Sequence, residues 1–191
     1  MTSDPYVYPA TSTLRNRYGL RDPHELASLE ADLTTRRLAE LAERPLPGRY
    51  DLPHLQAFHR RIFGDVYGWA GELRTVAIAK GDLFALPQHI APYLTDILAR
   101  LPAEDYLRGL DHHRLAERLA FYLAEINSVH PFREGNGRTQ RAFIGQLAQD
   151  VGHRIAWERL DPERNIEVSQ AAHRGDTDPL RALLAALIER L

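Results

Sequence analysis

Leucine recurs at helical spacing soon after residue 22. Leu26, Leu29, Leu33, Leu38 and Leu41 follow an Asp22-Pro23 pair, which reads as an N-cap and the first turn of a helix. The stretch RPLPGRY (44–50) breaks the period with two prolines and a glycine. Asp51 caps a second predicted helix, on which Leu55, Phe58 and Ile62 share one face. Residues 64–87, GDVYGWAGELRTVAIAKGDLFALP, have a different grain. Glycines punctuate them and TVAIA favours a strand. Lys80-Gly81-Asp82 is suited to turn that strand back onto Leu83-Phe84-Ala85, so a small β-hairpin is expected over residues 74–85. Helical period resumes with Ile90, Leu94, Ile97, Leu98 and Leu101, and again with Leu115, Leu119, Tyr122, Leu123, Ile126 and Val129. Ala142, Phe143, Ile144 and Leu147 continue the pattern, and Asp178-Pro179 opens a last helix through Leu183, Leu184 and Leu187. Residues 1–21, rich in turn formers and tyrosine, read as an irregular arm. No repeat or long linker divides the chain, so the pattern predicts a single all-α domain, residues 1–191, carrying a hairpin.

One stretch interrupts the apolar pattern abruptly: HPFREGNGRTQR (130–141), directly after Val129. Pro131 disfavours the αR conformation at His130, so the preceding helix should end there. Gly135 and Gly137 suit a tight loop whose backbone approaches a ligand, and helical period resumes at Arg138. The unit is helix, glycine loop, helix N-terminus. Free N–H groups and the positive end of the helix dipole make that geometry a site for an anion, above all a phosphate. Arg138 and Arg141, three residues apart, lie on one side of the new helix and suit a polyphosphate. Glu134 is placed to hold a divalent cation that bridges phosphate oxygens. His130 has a reference pKa near 6.5 and is able to take a proton from an attacking hydroxyl. Each residue alone has an ordinary structural reading: helix cap, surface carboxylate, turn asparagine, solvated arginine face. Their coincidence in one loop describes transfer of a phosphorus-containing group. Phe132 takes the structural role, an apolar anchor for the loop. The loop is not a P-loop, since no Gly-Lys-Ser/Thr follows, and it lacks the spacing of a dinucleotide fingerprint.

Composition narrows the setting. With 44% apolar and 26% charged residues in 191, an ordinary globular core is available. A net charge of −2 supplies no basic field, so direct nucleic-acid binding is not expected. No apolar run reaches the roughly 18 residues of a membrane span, and residues 1–19 lack the blocks of a signal peptide. Cysteine is absent, which excludes disulfides and thiol chemistry and suits a reducing, cytoplasmic location. His112 and His113 point to different helix faces and have no third ligand at a useful spacing.

HPFREGNGRTQR resembles the full signature of the Fic family, H-P-F-x-[D/E]-G-N-G-R-x-x-R, at every fixed position. GLRDPHELASLEADLTTRRLAEL resembles the family's first helix, FGDVYGWAGELRTVAIAKGDLFALPQHI its flap region, and GDTDPLRALLAALI its C-terminal helix, so the likeness covers roughly residues 6–190. The resemblance implies the Fic fold and transfer of AMP from ATP to a hydroxyl of a target protein. By that analogy His130 is the general base and Glu134 holds Mg²⁺. Gly135, Asn136 and Gly137 form the anion hole, with Asn136 on the α-phosphate. Arg138 steadies the β-phosphate and Arg141 grips the γ-phosphate. The hairpin is the flap that docks the target by strand addition, with Ile78 in that segment and Lys80 and Phe84 as clamps. The chain has no [S/T]-x-x-x-E-[G/N] inhibitory motif, so it resembles toxins whose inhibitory helix comes from a separate small antitoxin, with a glutamate on Arg141. Type II topoisomerase B subunits are the expected target, with host GTPases the alternative for a secreted effector. The rival within the enzyme class is transfer of another group: another nucleotide, phosphocholine, or a phosphate as in the related Doc toxins, which resemble a shorter chain with lysine where this one has Gly137; the glycine leaves room for the β-phosphate. A nucleotide-binding module without chemistry is the rival from another class.

Overall fold

A computed structural model describes residues 4–80 and 82–191. The chain runs through α1 (Pro23–Glu43), α2 (Leu52–Phe63), β1 (Ala79–Lys80), β2 (Asp82–Leu83), α3 (Pro87–Leu98) and the short α4 (Arg100–Ala103). It continues with α5 (His112–Val129), α6 (Asn136–Gln149), β3 (His153–Ile155), α7 (Pro162–His173), α8 (Asp178–Leu187) and β4 (Ile188–Arg190). The architecture is helical, as the apolar pattern predicts. α5 is the central element, with α3, α6, α7 and α8 packed around it and α2 against α6. Leu115, Leu119, Tyr122 and Ile126 of α5 are fully buried, as are Leu55, Phe58 and Ile62 of α2 and Phe143, Ile144 and Leu147 of α6. These are the positions that carry the helical period, and burying them supplies the driving force.

Capping follows the aspartates read as helix starts. The Asp22 carboxylate accepts from the N–H groups of His24 and Glu25, and Asp51 accepts from that of His54. Asp161-Pro162 is the same signal, and it starts α7, an element that periodicity does not reveal because Val168 is its one buried residue. The pairing of β3 with β4, His153 opposite Arg190 and Ile155 opposite Ile188, also has no clear trace in the apolar pattern. It is a long-range contact between short segments, which local spacing does not encode.

The hairpin is shorter than TVAIA suggests. Among the described residues Ala79–Lys80 pairs with Asp82–Leu83, Ala79 opposite Leu83 and Lys80 opposite Asp82, and Phe84 N–H adds a bond to the Ile78 carbonyl at 3.2 Å. The Val76 carbonyl accepts from Arg74 instead, so the ladder does not extend that far. Gly81, the expected turn residue, lies outside the described residues, as do Met1–Ser3. Much of the arm before Arg21 is tied down. Val7 bridges Leu14, the Tyr6 hydroxyl accepts from Thr75 N–H at 3.1 Å, and the Trp69 indole donates to the Arg15 carbonyl.

Candidate active site

α5 ends where the His130-Pro131 pair requires. His130 adopts the left-handed conformation (φ 50°, ψ 66°), and its N–H closes the helix on the Ile126 carbonyl at 3.1 Å. Nδ1 of His130 lies 3.1 Å from the Asn127 carbonyl, which can only accept. The proton therefore sits on Nδ1 and the ring's basic lone pair on Nε2.

The loop is held by buried aromatic stacking. Phe132 is fully buried and stacks on His59 with centroids 3.9 Å apart. Asn136 is buried too; its Oδ1 accepts from Phe132 N–H at 2.9 Å and its Nδ2 donates to the Phe132 carbonyl at 2.8 Å. The resemblance puts Asn136 on the α-phosphate, and here both polar ends of its side chain staple the loop. What it offers an anion is its main-chain N–H, in the first turn of α6. Gly135 has φ +78°, and a Cβ there would lie 2.2 Å from the Phe63 ring, so only glycine fits. Its N–H is capped at 2.8 Å by the Glu134 carboxylate. A Cβ on Gly137 would approach only the Arg141 guanidinium, at 3.3 Å.

His59, which nothing in the apolar pattern marks as functional, is the central support. Its Nδ1 accepts from Gly71 N–H at 2.7 Å, so Nε2 carries the proton and donates to the Glu134 carbonyl at 2.9 Å. Burial pulls its pKa from 6.5 down to about 4. A neutral imidazole thus joins α2, the Gly71 turn and the glycine loop.

The two arginines diverge despite their spacing. Arg138 lies over the Phe63 ring at 4.6 Å, donates to Glu30 of α1 at 2.5 Å and to the Thr34 hydroxyl at 3.1 Å. Glu30 also accepts from the Tyr67 hydroxyl. Arg141 forms no hydrogen bond or ion pair among the described residues, and burial, then the charge of Arg138, lowers its pKa. Both line a groove of about 270 Å³ with Leu38, Phe58 and Trp157. His130, Glu134, Gly135, Asn136 and Gly137 line a different cavity, of about 450 Å³. The first turn of α6 separates the two spaces.

The flap closes the cavity from the other side with Ile78 and Phe84. Phe84, the expected clamp, faces inward in this structure. It is buried, and its ring stacks on that of His130 at 3.9 Å and 11°. Leu83, its neighbour on the opposite strand face, is 59% exposed. The main chain of Lys80 lies in β1, while its side chain is outside what is described. Asn165, Ser169, Gln170 and His173 of α7 complete the wall, and Asp4, paired with Arg133 at 2.8 Å, reaches it from the arm. The Asp161-Pro162 cap is the signal that would have revealed the α7 residues.

A model of the Fic/DOC family matches residues 49–148, just over half of the chain. A probable protein adenylyltransferase Fic of Salmonella typhimurium is 39% identical over 186 residues, which are 97% of this chain and 92% of the relative. The chain belongs to the Fic/DOC family. Protein adenylyltransferase VbhT of Bartonella schoenbuchensis is also 39% identical, over 99% of this chain; the chain spans 39% of that relative's length. The fold matches BepC, a VirB-translocated Bartonella effector protein from Bartonella tribocorum solved with AMPPNP, at a TM-score of 0.89 and 26% identity over 97% of each chain. It matches equally, at 0.89 and 28% identity, the Fic domain of a Bep effector from Bartonella quintana solved with ADP, covering 97% of this chain and 94% of that one. Within this Fic domain, the signature loop is thus the segment between α5 and the first turn of α6.

Proposed function

We infer that this Fic domain is a protein adenylyltransferase, moving AMP from ATP to a hydroxyl of a target protein. The observation that carries the reading is one cavity lined by both His130 and the glycine loop at the start of α6. Relatives 36–39% identical over nearly the whole chain are named as protein adenylyltransferases or probable ones, and neighbours hold AMPPNP or ADP. The target oxygen attacks the α-phosphorus and its proton passes to His130 Nε2. The bond from that phosphorus to the bridging oxygen of the β-phosphate breaks, and pyrophosphate leaves. Main-chain N–H groups of the first turn of α6 hold the phosphates. The β- and γ-phosphates run over that turn toward Arg138 and Arg141, which explains why the arginines face the second groove. Gly137 keeps this path open, which favours nucleotidyl over phosphoryl transfer.

Mg²⁺ fits the donor set. The loop supplies one carboxylate, Glu134, and no cluster of three metal-ligating side chains exists among the described residues. One carboxylate plus phosphate oxygens and water is the usual way this ion is held. When bound it neutralises phosphate charge as pyrophosphate departs. The Glu134 carboxylate would exchange its bond to Gly135 N–H for the ion, freeing that N–H for phosphate.

Regulation follows from Arg141. A half-buried guanidinium with no acidic partner among the described residues suits an anion, and two fit: the γ-phosphate, or a glutamate on the helix of a separate antitoxin. We assign the chain to bacterial toxins restrained in this way, acting in the cytoplasm. B subunits of type II topoisomerases are the proposed target class, and host GTPases the alternative if it belongs to an effector. The test incubates the chain, Mg²⁺ and bacterial lysate with ATP labelled at the α- or the γ-phosphorus. Label from the α position only, absent with His130→Ala, is the expected result. Label from the γ position only would make the chain a phosphotransferase and overturn the reading of Gly137. ATP binding without label would leave a binding module.

A further inference from the structure

Arg74 is 2% exposed, among the largest fully buried side chains. No carboxylate pairs with it among the described residues. Its guanidinium instead donates to four main-chain carbonyls. Nε reaches His130 at 2.7 Å, Nη1 reaches Val76 at 2.6 Å, and Nη2 is shared between Ala85 at 2.5 Å and Val129 at 3.0 Å. Its own N–H donates to the Pro131 carbonyl at 2.9 Å. Burial works against the charge and lowers the pKa of the group. So costly an arrangement is placed where two chain segments meet.

The four acceptors fall into two pairs. Val129 and His130 are the last carbonyls of α5, which have no intrahelical partner and sit at the negative end of its dipole. Val76 and Ala85 are the two legs of the flap, on either side of the β1–β2 pairing. The planar guanidinium fork binds both pairs at fixed angles, which an ammonium group does not. Its bond to the His130 carbonyl also orients the peptide that follows the left-handed residue. That conformation is sterically unfavourable for a non-glycine residue, so it persists only where its surroundings impose it. Ala85 follows Phe84, the ring stacked on His130. Main chain and side chain of the flap are therefore referenced to the same histidine.

We infer that Arg74 is a positioning residue that locks the flap to His130, so that a target segment docked on the flap presents its hydroxyl to Nε2. The inference rests on His130 acting as the base, and it assigns to the flap a second duty besides docking. A displacement of about 1 Å between base and substrate is enough to lower a rate by about 100-fold. Arg74 lies outside the phosphate-binding turn, so ATP binding should be spared when it is changed.

The test compares wild type with Arg74→Lys and Arg74→Ala. Three quantities are read: transfer of α-label from ATP into bacterial lysate protein, calorimetric affinity for Mg²⁺-AMPPNP, and the NMR shift of the His130 ring, which Phe84 stacking moves upfield. The expected result for Arg74→Lys is an approximately 100-fold slower transfer, an AMPPNP affinity close to wild type, and loss of the upfield shift. Guanidinium ion added to Arg74→Ala should restore transfer in part, and should do nothing for His130→Ala. Transfer by Arg74→Lys at the wild-type rate would overturn the inference, as would an unchanged ring shift. Wild type that transfers no label would sink the adenylyltransferase reading instead. The ring shift then still decides whether Arg74 couples flap and histidine. Should Arg74→Ala fail to fold, the lysine variant carries the comparison.

Discussion

At Gly135 two independent constraints meet. The backbone is left-handed and the space where a Cβ would stand is filled by the Phe63 ring. Gly135→Ala therefore carries backbone strain and a ring displacement together, about 2 kcal/mol of destabilisation. It should also weaken Mg²⁺-AMPPNP binding, because the loop N–H groups move; urea unfolding and calorimetry read the two effects separately. A variant with wild-type stability and affinity would show that the loop tolerates a side chain there. Asn136 illustrates how residue type and role part company. Its place in the signature marks it, but the side chain is spent on Phe132 at both ends, and only the structure reveals that. Glu30 and His59 are the reverse case. Both sit within helical stretches where nothing local distinguishes them, and each acquires its role from a partner more than 70 positions away, Arg138 or Glu134.

The flap shows what an element adds to its residues. Strand alternation sends Phe84 inward onto His130 and Leu83 outward. If a target adds to this hairpin as a strand, the exposed apolar side chain beside the open edge is Leu83. Leu83→Asp should slow label transfer to protein about tenfold, given the size of one well-packed apolar contact. Mg²⁺-AMPPNP affinity should be unchanged, since Leu83 does not line the cavity. Equal transfer rates in variant and wild type would move docking elsewhere. Most helices were legible as elements because their buried leucines, isoleucines and aromatics repeat at 3.6 residues, and aspartate caps at Asp22 and Asp51 mark two of the starts. α7 was not, although it walls the cavity. One buried residue leaves no period, and apart from Ile166 its residues facing the cavity are polar.

Across the molecule, the site is assembled from α2, the flap, the end of α5, the start of α6, α7 and the arm, and His59 ties several of them together. Because its pKa falls from 6.5 in the open chain to about 4 when folded, protons bind the unfolded chain first. Stability from this group is complete above about pH 6.5 and is lost as pH falls toward 4, by about 3 kcal/mol. His54, whose pKa burial also lowers, acts in the same direction. His59→Gln removes the titrating group, so its urea midpoint should fall less steeply between pH 6.5 and 4 than that of wild type. Parallel pH profiles would mean that His59 does not govern the acid response. Helical class, capping, the break at His130 and the identity of the loop residues were all set locally, by apolar spacing, proline sterics and a contiguous twelve-residue signature. Those signals survive in the sequence because each acts within a few residues. The divergence of Arg138 from Arg141, the stapling of Asn136, the burial of Phe84 on His130 and the four-carbonyl grip of Arg74 arise from contacts that exist only once distant segments have packed together. A buried cation or a neutral histidine is spelled with the same letter as a solvated one, and only its surroundings distinguish them.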